Sequence, residues 1–143
     1  MSDMKKGAVA YVDGSFIGKQ YGAGVYFVHS KDIYEISGVG DAAGYVEMKN
    51  VGGEIIASML AIQKAQKLGV RELTIYYDYL GIGKWANNEW NANKKETQAY
   101  KEYVKNARKS MKIDFVKVKA HSGNQGNQRA DYLARKLVRE ESL

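Results

Sequence analysis

The chain of 143 residues contains no cysteine and no proline. The absence of cysteine excludes a disulfide framework and a thiolate zinc site, and it fits a reducing compartment, so we expect a cytoplasmic protein. The absence of proline excludes extended proline-rich linkers. No apolar run is long enough to span a bilayer, and the first six residues lack the apolar core of a signal peptide. We therefore expect no association with membranes.

Positive charge exceeds negative charge along the chain. Lysine and arginine together number 22 against 16 aspartates and glutamates, which gives a formal net charge of +6. Several of the acids are expected at one site, as argued below, so the remaining surface is more basic than the total suggests. A polyanionic partner such as a nucleic acid is the simplest interpretation.

The hydrophobic pattern predicts a single α/β domain over residues 1–143, with 1–7 and 139–143 as flexible ends. Residues 8–13, 22–29 and 32–39 have the pattern of strands, and the short connections between them predict antiparallel hairpins. Helical spacing follows Gly53 and ends at Gly69.

The second half of the chain alternates strands with helices. A strand is predicted from Leu73 to Tyr77, a helix over about 95–109, a strand over 113–120 and a helix over 127–138. The order βββαβαβα predicts a mixed five-stranded sheet, with three antiparallel strands followed by two parallel strands and with helices on both faces.

Four carboxylates occupy positions where a negative charge is costly. Asp13 and Asp78 directly follow apolar strand-like runs, Glu54 opens a predicted helix and Asp131 lies within the last helix. Carboxylates beside a core are expensive to desolvate, and several together repel one another unless cations neutralise them. Divalent cations that prefer oxygen ligands fulfil this role, so the pattern predicts metal chemistry.

The same residues carry a specific resemblance. Residues 11–15, Glu54 after Asn50, Asp78 at the end of a strand and the segment 119–134 match, in order, the motifs of the ribonuclease H family, type 1. The resemblance covers about residues 8–138 and implies the RNase H-like fold. It also implies that Asp13, Glu54, Asp78 and Asp131 are catalytic metal ligands.

The resemblance implies an endoribonuclease that hydrolyses the RNA strand of RNA–DNA hybrids and leaves 5′-phosphate and 3′-hydroxyl ends. It implies two Mg²⁺ ions with the substrate bound, with Mn²⁺ as a possible substitute. In such a reaction one ion lowers the pKa of the attacking water and the other stabilises the leaving oxygen. By resemblance Asp13 bridges the ions, Asp131 helps to hold the first, and Glu54 with Asp78 holds the second.

His121 is the fifth catalytic candidate. It lies in a loop rich in glycine and asparagine, so we interpret it as a group that moves a proton or assists product departure rather than as a metal ligand. The alternative is a loop histidine without a role.

Substrate-binding candidates follow from the same resemblance. Gly14, Ser15 and Asn50, with Glu54, are expected near the 2′-hydroxyl, the group that distinguishes RNA from DNA. Either tryptophan could pack on the deoxyribose of the DNA strand or serve as a core anchor, and the basic helix face could bind phosphate or face solvent. Asn127 could contact substrate or cap the last helix. The remaining candidates are Trp85, Trp90, Thr97, Lys101 and Lys105, the two lysines sharing their helix face with Arg108 and Lys112.

The sequence departs from the family pattern at three places. Val51 replaces a second asparagine, Tyr79 and Leu80 replace a serine and a glutamine, and residues 81–95 are shorter than the basic protrusion of some members. Two other functions stay open: a non-catalytic module that binds hybrid or duplex RNA, and a DNA-acting nuclease of the same superfamily. The four acids argue against the first, and the His121 loop argues against the second. We expect a monomer that binds RNA–DNA hybrid.

Overall fold

The computed structural model of the protein describes residues 7–119 and 124–141. The elements follow one another as β1 (Gly7–Ile17), β2 (Gln20–His29), β3 (Asp32–Gly40), α1 (Ala43–Glu47), α2 (Asn50–Leu68), β4 (Glu72–Tyr77), α3 (Gly81–Ala86), α4 (Lys95–Ala107), β5 (Lys112–Lys117) and α5 (Gln125–Glu141). In these ranges no helix is long and apolar enough to cross a membrane.

The described strands form one five-stranded sheet in the order β3-β2-β1-β4-β5. Strand β2 is antiparallel to both β1 and β3, whereas β4 is parallel to both β1 and β5. The predicted mixed sheet is therefore confirmed. The prediction lacked α1 and α3, which are five and six residues long. Helices this short do not repeat the 3.6-residue period often enough to show it.

The two faces of the sheet are covered by different helices. On one face Ala10 and Val12 of β1 and Val25 of β2 are fully buried in the main core with α2, and Tyr100 of α4 joins the same core. On the other face α5 lies across β1, β2 and β3. The alternation of side chains along β1 and β2 separates these two sets, and helices on both faces are as predicted.

Helix α5 lies unusually close to the sheet. A Cβ atom at Gly24 would overlap the carbonyl oxygen of Ala130, and one at Gly22 would overlap that of Ala134. The hydroxyl of Ser15 donates a hydrogen bond to the Ala134 carbonyl. That of Ser37 donates to the Leu133 carbonyl at 2.8 Å. These contacts join strand to helix backbone, so they fix the position of α5 on β1–β3.

The first turn of α2 also touches the sheet through backbone. A Cβ atom at Gly14 would overlap the Asn50 carbonyl oxygen and the Glu54 amide nitrogen. Lys49, just before α2, has a φ of 57° and a ψ of −129°, a backbone conformation that costs an L-residue free energy. The absence of a side chain at Gly14 allows the first turn of α2 to approach β1, and this approach brings Glu54 close to the strand.

One predicted boundary is corrected in a way that matters for the site. Strand β1 was predicted to end at Asp13, but it continues to Ile17 because residues 13–17 pair with β2. The pairing of β1 with β4, however, stops at Tyr11 and Tyr76. Beyond this point β1 and β4 are no longer paired, and Asp13 and Asp78 follow the last pair on either strand.

Candidate active site

The candidate site lies where β1 and β4 separate, with the start of α2 on one side and α5 on the other. Asp13 comes from β1, Asp78 directly follows β4, Glu54 lies in the first turns of α2, and Asp131 lies in α5. The charges of Glu54, Asp78 and Asp131 all act on Asp13 or on one another. The structure therefore brings together the four carboxylates that the sequence singled out.

Glu54 is the most deeply buried of the four, with 3% of its surface exposed. Its Oε2 atom accepts a hydrogen bond from the Asp78 backbone amide at 2.7 Å, and the Tyr79 amide lies 3.3 Å from Oε1. Burial is the main reason that its pKa is raised from 4.5 to about 8. The two amides oppose this rise, whereas the charges of Asp13 and Asp78 add to it.

Asp13 is also buried in part, and its pKa is raised from 3.8 to about 7. Desolvation is the largest cause, and it is opposed by the Gly14 amide, which donates to Asp13 Oδ1 at 2.9 Å. Asp131 raises the pKa further, both by charge repulsion and by hydrogen bonding to the protonated form, and Asp78 adds a smaller repulsion. The site therefore retains protons that isolated carboxylic acids lose well below neutral pH.

Asp131 has a cation beside it. The Arg135 Nε atom donates to Asp131 Oδ1 at 3.1 Å, one helical turn further along α5. A second arginine ties the helix to the sheet edge: Arg129 pairs with both carboxylate oxygens of Glu35 on β3, and its guanidinium lies 4.6 Å from the ring centroid of Tyr132. The sequence suggested Arg129 as an ion-pairing residue, but it did not identify Glu35 as the partner. The Asp131–Arg135 pair was missed, although its i,i+4 spacing signals it.

The donor set suits a hard divalent cation, since it consists of carboxylate oxygens that repel one another. Among residues 7–119 and 124–141, no group of three or more His, Cys, Asp or Glu side chains is arranged around a single point to hold a metal ion. In this arrangement Glu54 faces the amides of Asp78 and Tyr79, and Asp131 faces Arg135. Burial is the main reason that the pKa values of Asp13 and Glu54 are raised, and repulsion between the acids adds to it. A cation would offset both effects, so the residues fit such an ion.

The predicted catalytic histidine, His121, lies outside the described residues. The helix that follows is capped by Asn124, whose Oδ1 atom accepts the Asn127 amide at 2.9 Å. Asn127 itself is 9% exposed.

Three candidates for the 2′-hydroxyl lie around Asp13 and Glu54. Gly14 contacts the first turn of α2, Asn50 is exposed at the start of that helix, and Ser15 is buried. The Ser15 hydroxyl is engaged with α5, as described above, so a substrate contact there would have to use the backbone.

An aromatic groove begins directly after Asp78. The rings of Tyr79, Trp85 and Trp90 pack together with centroids 5.8–6.4 Å apart. Trp85 is buried, whereas Trp90 is 37% exposed. The groove has a volume of about 370 Å³, and its walls include Glu47, Met48, Val51, Tyr79, Trp85, Asn91, Asn93, Lys94 and Thr97.

Thr97 lines this groove but uses its hydroxyl within its own helix. The Oγ1 atom accepts the Lys94 amide at 3.2 Å and lies 3.0 Å from the Lys94 carbonyl oxygen, and the residue is 2% exposed. The side chain therefore caps α4. Sequence reasoning missed Asn91 and Asn93, whose only signal is an asparagine-rich segment between two helices.

The predicted basic face of α4 is smaller than expected. Arg108 donates to the carbonyl oxygens of Ala86 and Ile113 and to Asn87 Oδ1, at 2.7–3.0 Å. Lys112 belongs to β5 and lies 3.9 Å from Asp114. Lys101 and Lys105 form no ion pair within the part of the chain that the structure describes. Of the four residues of the predicted basic face, only Lys101 and Lys105 therefore keep a charged group without a partner in the described residues.

Comparison with solved structures defines the class of protein. Ribonuclease H1 of the archaeon Halobacterium salinarum superposes with a TM-score of 0.78 at 19% identity, covering 94% of this chain and 98% of that one. LC11-RNase H1 in complex with RNA/DNA hybrid superposes with a TM-score of 0.71 at 14% identity, covering 92% and 99%. The fold is thus that of type 1 ribonucleases H.

Sequence comparison establishes the family. The family model of RNase H matches residues 5–139. The ribonuclease H of Francisella philomiragia is 36% identical, over 95% of this chain and 93% of its own length. The chain belongs to the ribonuclease H family and is an enzyme of that family.

Proposed function

We propose that the protein is an endoribonuclease that hydrolyses the RNA strand of RNA–DNA hybrids by a two-metal-ion mechanism, leaving 5′-phosphate and 3′-hydroxyl ends. The observation that carries this proposal is the cluster of four carboxylates where β1 and β4 separate, with proton affinities raised at Asp13 and Glu54. The LC11-RNase H1 structure supports the choice of substrate, because that protein of the same fold is in complex with an RNA/DNA hybrid.

Membership of the family implies dependence on divalent metal ions, and we propose Mg²⁺, with Mn²⁺ as a substitute. When bound, such ions lower the pKa of an attacking water and stabilise the leaving oxygen. Asp13, central among the acids, would bridge the two positions. Asp131 would complete one position, and Glu54 with Asp78 the other.

The chain's own residues prepare this site in two ways. The Gly14 amide keeps the Asp13 carboxylate oriented, and the amides of Asp78 and Tyr79 do the same for Glu54. Arg135 offsets the charge of Asp131. We propose that His121 moves a proton or assists product departure.

Substrate contacts are proposed along the surface from α2 to α4. Asn50 and the backbone of Gly14 and Ser15 would read the 2′-hydroxyl. Trp90, the more exposed tryptophan, would pack on deoxyribose, with Trp85 supporting it from below. Lys101 and Lys105 would contact backbone phosphates of the nucleic acid, Thr97 would shape the groove wall while its hydroxyl caps α4, and Asn127 would act near the start of α5. A cytoplasmic location and a monomeric state complete the proposal.

Matched duplexes test this function directly. RNA–DNA, RNA–RNA and DNA–DNA duplexes of one sequence are incubated with the protein in Mg²⁺, in Ca²⁺ and in chelator, and the product ends are mapped. Cleavage of the hybrid alone, and only with Mg²⁺, is the expected result, because the larger Ca²⁺ holds its ligands at about 2.3–2.6 Å and misaligns the reacting groups. Cleavage of DNA–DNA would instead identify a DNA-acting nuclease. Hybrid binding without cleavage in Mg²⁺ would identify a non-catalytic module.

A further inference from the structure

A second groove, of about 840 Å³, lies between the segment 86–93 and the outer side of α4. It is separate from the carboxylate cluster, and its walls are rich in side-chain amides and cations. They are formed by Ala86, Asn87, Asn88, Asn91, Ala92, Asn93, Gln98, Lys101, Glu102, Lys105 and Arg108. Its volume is within the usual range of about 300–1,000 Å³ for ligand sites.

The walls of this groove are held in place by side chains that reach across it. Arg108 joins Ala86 and Asn87 to β5, and it also lies 5.5 Å from the ring centroid of Phe115. The Gln98 Nε2 atom donates to the Ala92 carbonyl at 3.1 Å. Because the segment is fastened at both ends to α4, a ligand would meet a shape formed in advance.

The charge of the groove is unbalanced. Lys101, Lys105 and Arg108 face a single acid, Glu102. Two lysines of the described residues have acidic partners: Lys84 lies 2.9 Å from Glu89, and Lys112 lies 3.9 Å from Asp114. Lys101 and Lys105 have none there, so their ammonium groups are available to an anion.

The groove continues the aromatic groove described above. Asn91 and Asn93 line both grooves. The aromatic groove reaches Tyr79, the residue after Asp78. A nucleic-acid strand that leaves the candidate active site along the aromatic rings would therefore arrive at the lysines of α4.

We infer that this second groove binds the phosphodiester backbone of an unpaired strand that continues beyond the hybrid duplex. A duplex presents a convex surface and cannot enter a concavity of small-molecule size, whereas a single strand can bend into it. Ammonium groups then neutralise phosphates, and amide side chains meet the exposed base edges. This inference rests on the proposed function, because the hybrid must first occupy the aromatic groove.

The test compares blunt hybrids with hybrids that carry a single-stranded extension of about four nucleotides, of DNA or of RNA. Affinity is measured by fluorescence anisotropy in Ca²⁺ at several salt concentrations. With two lysine contacts and a slope of about 0.7 each for single strands, the advantage of the extension falls about sevenfold between about 50 and 200 mM salt. An advantage for the DNA or the RNA extension alone supports the inference and identifies the strand.

Two double variants separate the groove from general charge effects. Lys101→Glu with Lys105→Glu is expected to abolish the advantage of the extension and its salt dependence. Lys31→Glu with Lys67→Glu makes the same charge change at two exposed sites away from the groove, and it is expected to keep the advantage. Lys101→Gln with Lys105→Gln removes the two charges without reversing them. It is expected to lose the advantage of the extension too, and it provides the test if the glutamate variant fails to fold.

Either of two results would overturn the inference: no advantage of the extension in the parent, or an equal loss in both charge-reversed variants. Cleavage of the blunt hybrid in Mg²⁺ is assayed alongside. If the parent fails there, the proposed function itself is wrong. If the parent cuts the blunt hybrid and gains nothing from the extension, only the groove assignment fails.

Discussion

The carboxylate cluster and the two grooves beside α4 are adjacent, yet they are constructed in opposite ways. The cluster is enclosed by backbone: Gly14 meets the first turn of α2, Gly24 meets α5, and main-chain amides orient Asp13 and Glu54. The grooves are lined by asparagine, lysine and aromatic side chains with solvent access. A substitution among the glycines of the first region would disturb the packing of helices and the pKa values of the acids, whereas one at the exposed side chain of Lys105 in the second would remove a single contact.

The largest effect that separates the two regions is expected from Asp13→Asn. The asparagine can still accept the Gly14 amide, but the charge shared by the proposed ion sites is lost, so cleavage should fall at least about 100-fold. Hybrid affinity in Ca²⁺ should stay measurable because the grooves are unchanged. The melting temperature in chelator should rise, since repulsion from Asp78 and Asp131 is relieved. If the variant cut the hybrid at the parent's rate, Asp13 would not be a catalytic residue.

The pH dependence of stability also distinguishes the carboxylate cluster from the grooves. In chelator, Asp13 and Glu54 are predicted to dominate this pH dependence. Their pKa values, about 7 and about 8, lie above those of the unfolded chain, so the native state binds more protons between pH about 4 and 8. Their contribution is complete below about pH 4 and is lost as the pH rises through these values, which lowers the free energy of unfolding by several kcal/mol in total.

Urea unfolding at several pH values measures this loss. Glu54→Gln cannot ionise, so its stability should fall less steeply than that of the parent over the same range. Equal slopes for the two proteins would mean that Glu54 titrates normally. Added Mg²⁺ should flatten the parent's curve, because a cation favours the ionised carboxylates.

A third prediction concerns backbone packing under α5. Gly24→Ala places a methyl group against the Ala130 carbonyl and should cost about 1–3 kcal/mol of stability, with a loss of cleavage because Asp131 moves with the helix. Gly38→Ala on β3 is the matched control, since its Cβ would have ordinary contact at 3.6 Å from Leu60 Cδ1. Thermal melts and hybrid cleavage assays compare the two. Equal behaviour would show that α5 tolerates displacement.

The smallest effect is expected at the edge of the sheet. Hydrogen bonding to Arg129 is the main reason that the pKa of Glu35 is lowered, so its contribution is present above the unfolded pKa of about 4.5 and is lost as the pH falls. The pair is solvent-exposed and screened by salt, so Glu35→Gln should lower the melting temperature by no more than about 2 °C, and less at high salt. A large drop at high salt would make this pair a major anchor of α5.

Some of this arrangement was predictable because the signals are local. The apolar runs before Asp13 and Asp78 specified two strands. The order of elements specified a mixed sheet, in which both acids lie where the inner strands β1 and β4 separate. The side-chain partners were not predictable. Arg108 has the spacing of a solvent-facing residue on α4, yet its partners are Ala86, Asn87 and Ile113 from other segments. Thr97 is likewise occupied by the cap of its own helix.

The hydrogen bonds from the backbone amides of Asp78 and Tyr79 to Glu54 have a spectroscopic consequence. The Asp78 amide proton, in a bond of 2.7 Å to a carboxylate, is deshielded relative to an amide bonded to water or to a neutral carbonyl. Its nuclear magnetic resonance signal therefore reports on the orientation and ionisation of Glu54 in the absence of substrate. Titration of an isotope-labelled sample with Mg²⁺, followed at these two amides, would show whether Glu54 leaves the backbone when an ion arrives.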